Sequence, residues 1–86
     1  MQDYIRKLIV RQWCSEGLRA MFAIDRRYER DSEISKERKQ EALNAIKDKL
    51  ETALIRGQVT AFEFYVIIGY LDEYAFGTHF NDLLGV

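Results

Sequence analysis

At 86 residues, with 48% hydrophobic and 31% charged side chains, the chain is long enough for one small domain (residues 1–86) and too apolar for a disordered one. It has no proline and a single cysteine, which argues against a turn-rich or disulfide-held scaffold and points to an all-α domain in a reducing, cytoplasmic setting. The net charge of −1 hides an asymmetry, because residues 1–39 carry ten Lys/Arg against seven Asp/Glu and residues 40–86 carry three against seven.

The first turns lack the continuous apolar stretch of a signal peptide, and the longest uncharged run, Phe64 to Leu71, is far too short to span a membrane. A helix is expected from near Asp3, with Val10, Trp13, Gly17, Ala20, Met21, Ile24 and Tyr28 as its apolar stripe at three-four spacing. Before Val10 the phase is less regular, since Tyr4, Ile5, Leu8 and Ile9 point partly elsewhere. Arg19, Arg26 and Arg30 share the opposite face, which is expected to be wet.

The polar stretch Arg30 to Glu37 reads as the first connection, with Asp31, Ser32 and Ser35 able to cap a following helix. The second helix carries a narrow stripe of Ala42, Leu43, Ile46, Leu50, Ala53 and Leu54, and Gly57 stands where a left-handed C-terminal stop belongs. Thr60 to Glu63 has the form of a capping box opening a third helix. A strand competes over Phe64 to Tyr70, which is rich in β-branched and aromatic residues, but no second segment offers it a partner. The helical pattern continues to Phe76 and stops at Gly77, and Thr78 with Asn81 suggests a last short helical turn. The expected fold is therefore a helical bundle of three main helices with a short C-terminal turn.

The third segment is apolar nearly all round, with only Glu63, Asp72 and Glu73 to interrupt it. Such a helix normally sits in the centre of a larger body, and a chain of this size offers little thickness in which to centre it. A second copy is the expected remedy, most simply a two-fold homodimer, with Phe64, Tyr65, Ile68 and Leu71 as anchors and Tyr74 at the rim. The competing arrangement seats the third helix between the first two, with the segment from Thr78 to Val86 folded over its remaining side. Gly17 and Gly69 are both mid-helix, where glycine costs about 1 kcal/mol relative to alanine, so a close approach is expected at these positions.

Signatures of chemistry are weak. Cys14 to Arg19 is one residue short of a phosphate-cradling thiolate loop and lacks a preceding strand, so Cys14 reads as a small buried apolar residue. His79 is the only histidine, too few ligands surround it for a metal, and Asp72 and Glu73 point to different sides of a helix. Neither catalysis nor a cofactor is expected. Two readings remain: a non-catalytic regulator or inhibitor that occludes another protein's surface, and a nucleic-acid binder using the arginine-rich first helix. In the first, Arg19, Arg26, Arg27 and Arg30 would meet an acidic partner. The acidic residues interleaved in the same segment weigh against the second. The occluding role rests on an analogy of size and style with small phage-encoded inhibitors and cytosolic regulators, not on shared residues.

Overall fold

The computed structural model describes residues 2–77, which form three helices and contain no strand: α1 (Gln2–Arg27), α2 (Ser32–Ile55) and α3 (Ala61–Phe76). Each helix packs on both others. Arg6 lies beside Glu63, Gly17 beside Leu71 and Phe22 beside Tyr74, so α1 and α3 run in the same direction. Between them α2 returns the opposite way, its first turns tied to the end of α1 by Ser35 and Lys39, which reach Asp25.

The first connection is shorter than the polarity of Arg30 to Glu37 suggests. Asp31 is the N-cap of α2, its carboxylate accepting from the Ile34 amide at 3.1 Å, and the helix is under way at Ser32. Ser35 is buried in that first turn, its hydroxyl donating to Asp25 at 3.0 Å, while the Lys39 ammonium reaches the same carboxylate oxygen at 3.0 Å. These polar residues look like loop in the sequence because their partner lies on α1. At the other end of α2 and at the end of α3, Gly57 and Gly77 adopt φ values of 74° and 68°, left-handed conformations that side-chain-bearing residues resist.

The core consists of Met21 from α1, Leu43, Leu50 and Ala53 from α2, Val59 from the second connection, and Ile67, Leu71 and Ala75 from α3. Gly17 faces α3, and a Cβ there would stand 2.6 Å from both Leu71 methyls. Its missing side chain is therefore what lets Leu71 lie flat on α1. The close approach expected of a mid-helix glycine is met at Gly17, against α3 of the same chain.

The domain measures 45 × 30 × 21 Å. With each of the three helices packed on both others, each keeps a side that no other helix among the described residues covers. The expected short turn after Gly77 lies outside the described residues. Among the described residues, no helix is long and apolar enough to cross a membrane.

Candidate functional site: the outer face of α3 and its groove against α1

Glu63, Ile67, Leu71 and Ala75 follow one another at four-residue spacing and are the buried line of α3. Phe64, Ile68 and Phe76 lie on the side toward the core and are half-buried against it. The opposite side carries Phe62, Val66, Gly69 and Tyr70, while Tyr65 lies toward α2 beside Leu43, Lys47 and Ile68. Phe62 is 75% exposed, and Tyr65 and Tyr70 are each 48% exposed.

The anchors expected for self-contact therefore separate. Leu71 is completely buried against Gly17 within its own chain, so it is a core residue and has no surface to give to a second copy. Phe64 and Ile68 pack largely on the core. Tyr65 is half-exposed in a hollow against α2 with Leu43 and Lys47, and Tyr74 is 39% exposed with its ring edge-on to Phe22, centroids 5.2 Å apart. Phe62, Val66 and Tyr70 belong to the open face, and their i, i+4, i+8 spacing was the available signal for it.

Glu63 is the surprise of this helix. Two of its roles were separable in the sequence, and only the first was read there. It closes the capping box: its Oε1 accepts from the Thr60 amide at 2.8 Å while its own amide donates to Thr60 Oγ1 at 3.1 Å. It also accepts a two-pronged contact from Arg6 of α1, with Nε 2.9 Å from Oε2 and a terminal guanidinium nitrogen on Oε1. The paired guanidinium, helped by the Thr60 amide and opposed by burial, holds the Glu63 carboxyl below its ordinary pKa. A carboxylate whose pKa is lower folded than unfolded stabilises the fold above the unfolded value, and that contribution disappears as pH falls through the folded value. Thermal melts from neutral pH downward should lose stability below about pH 4.3. Glu63→Gln should flatten that acid limb, and an unchanged limb would remove Glu63 from the account.

Above this pair lies a hollow of about 350 Å³ lined by Arg6, Lys7, Val10, Arg11, Phe62, Glu63 and Val66, with an almost wholly apolar surface. A second hollow of about 220 Å³ lies past Val66, bounded by Gly69, Tyr70 and Glu73. Val66 borders both hollows. On α1 the exposed Tyr4, Leu8 and Phe22 share a line with Arg11 and extend the apolar surface. Their irregular phase before Val10 is explained by this second surface. Among the described residues, neither Lys7 nor Arg11 has a carboxylate in salt-bridge reach. The first hollow thus has a basic side, Lys7 and Arg11, beside Phe62.

The arginine face is more dispersed than the sequence suggests. Arg19 and Arg26 are exposed on one side of α1, and Arg30 is exposed in the turn beyond the helix. Arg27 stands about 100° around the helix from Arg26. Its guanidinium carbon lies 5.7 Å from the centre of the Tyr28 ring, in a hollow shared with Ala23, Arg38 and Glu41.

Cys14 is half-buried, and that burial pushes its thiol pKa up, away from the thiolate that reactivity requires. Among the described residues no three His, Cys, Asp or Glu side chains are grouped to hold a metal ion. His79 lies outside the described residues. Comparison with known protein families, characterised proteins and solved structures finds no match, so the site is read from its own geometry.

Proposed function

We propose that the chain acts without catalysis, as a self-associating regulator or inhibitor that covers the surface of another protein. The observation that carries this reading is the apolar row of Phe62, Val66 and Tyr70 on α3, with the exposed Tyr4, Leu8 and Phe22 on α1. Scattered exposed apolar residues are ordinary on any protein, whereas a continuous row beside a groove is characteristic of contact surfaces. Aromatic rings suit such a surface because each buries a large area while a tyrosine hydroxyl keeps a polar bond at the rim. In this scheme α3 faces the second copy. Arg19 and Arg26, with Arg30 beyond them, remain on the outside of α1 for an acidic partner.

Sedimentation velocity across a concentration series tests the first half of the scheme: a dimer should appear at micromolar to high micromolar concentration and persist as salt is raised. A monomer throughout the series overturns it. Titration with mixed-sequence DNA and RNA at low and high salt tests the competing use of the arginines. Phosphate contacts release counterions, so binding that falls steeply with salt would establish a nucleic-acid partner in place of a protein. No binding at low salt is the expected result.

A further inference from the structure

Above the Arg6–Glu63 pair, two cations stand beside an apolar wall. We infer that this hollow is a binding site for a single-chain carboxylate amphiphile, with its hydrocarbon tail against Val10, Phe62 and Val66 and its carboxylate between Lys7 and Arg11. The inference goes beyond the self-associating reading above and does not depend on it.

Three cationic side chains border the hollow. The Arg6 guanidinium is held on Glu63 by two contacts, and each neutralises the other. Lys7 and Arg11 are exposed on α1 one turn apart, and among the described residues neither has a carboxylate partner. The rim therefore carries two uncompensated positive charges, close enough together for one carboxylate to accept from both.

The wall decides what is attached to that carboxylate. Its surface is almost wholly apolar, so it provides hydrocarbon contact and no hydrogen bonds. A nucleotide or a sugar acid would lay polar groups on it with their hydrogen bonds unmet, and a peptide would do the same with its backbone amides. An alkyl chain has no such groups. The volume of about 350 Å³ is at the small end of ligand sites of roughly 300–1,000 Å³, which suits one short chain and not a two-chain lipid.

Isothermal titration calorimetry with decanoate, decylammonium and decanol tests the assignment. The titrations use protein concentrations that keep the chain monomeric, because Phe62 and Val66 also belong to the row facing a second copy. Decanoate should bind at one site per chain, at least about tenfold more tightly than decylammonium, which brings a like charge to the rim on the same tail. Lys7→Gln/Arg11→Gln should weaken decanoate at least about tenfold and leave decanol within about twofold. Lys47→Gln/Lys49→Gln removes the same charge from α2 and should change neither. Phe62→Ser should weaken decanoate and decanol alike, since it takes away tail contact and no charge. Circular dichroism and melting temperature establish that each variant is folded, and the comparison of ligands on the parent chain needs no variant. Equal affinity for decanoate and decylammonium, or an unchanged decanoate affinity in folded Lys7→Gln/Arg11→Gln, overturns the site. Binding to anionic phosphatidylglycerol vesicles with none to decanoate also overturns it, and would make this face a membrane contact. A chain that binds decanoate yet never dimerises overturns self-association alone.

Discussion

Leu71→Ala should be the most damaging conservative truncation in the domain, with a loss of about 2–5 kcal/mol by urea unfolding followed with circular dichroism. Leu71 is fully buried and lies directly on Gly17, so its removal leaves a void at the contact between α1 and α3 that the rigid helices cannot collapse. The loss is large against the total stability of roughly 4–13 kcal/mol that a chain of this length commands at about 0.05–0.15 kcal/mol per residue. The reciprocal change is more diagnostic. Gly17→Ala alone should destabilise, because the gain of about 1 kcal/mol in helix propensity is outweighed by the roughly 1–3 kcal/mol cost of pushing Leu71 off its seat. In the Leu71→Ala background the same substitution should become stabilising, since the methyl group then enters vacant space. A Gly17→Ala effect of the same sign and size in both backgrounds would show that the two residues are not coupled.

The second large effect concerns association rather than folding. Phe62→Ser and Tyr70→Ser should each weaken the homodimer at least about tenfold, since covering one such ring contributes about 1.5–3 kcal/mol and a factor of ten corresponds to 1.4 kcal/mol. Both side chains are already largely open to solvent within one copy, at 75% and 48% exposure, so the unfolding midpoint of the monomer should barely move. Loss of stability with unchanged association would instead place these rings in the fold. Trimming Leu71 should give the opposite signature.

Much of the architecture was legible because its signals are local. The capping box at Thr60 and Glu63, the left-handed stops at Gly57 and Gly77, and the three-four stripe through Gly17 and Met21 each depend on residues a few positions apart, and each is found in place. Failures came where the partner is distant. Ser35 and Lys39 look like loop and solvated helix until Asp25 is brought beside them. Leu71 looks like surplus until Gly17 is brought beneath it.

The Arg6–Glu63 pair was the most recoverable of the omissions. Arg6 continues the stripe of Val10, Trp13 and Gly17 backward at the same spacing, and Glu63 heads the line of Ile67, Leu71 and Ala75. Opposite charges, each in register with an apolar stripe, imply a shared contact. The sidedness of α3 was not recoverable in the same way. A helix apolar on every face gives no phase of its own, and only the positions of α1 and α2 decide that Ile67 points inward and Phe62 outward.

The shared direction of α1 and α3 also bears on how the protein is made. Arg6 and Glu63 are 57 residues apart, and the groove they underlie does not exist until the ribosome has delivered the start of α3. Up to that moment the nascent α1–α2 hairpin displays Met21, Leu43 and Leu50 without a lid. Translation therefore passes through an interval in which the growing polypeptide is sticky and has no third helix to shield it.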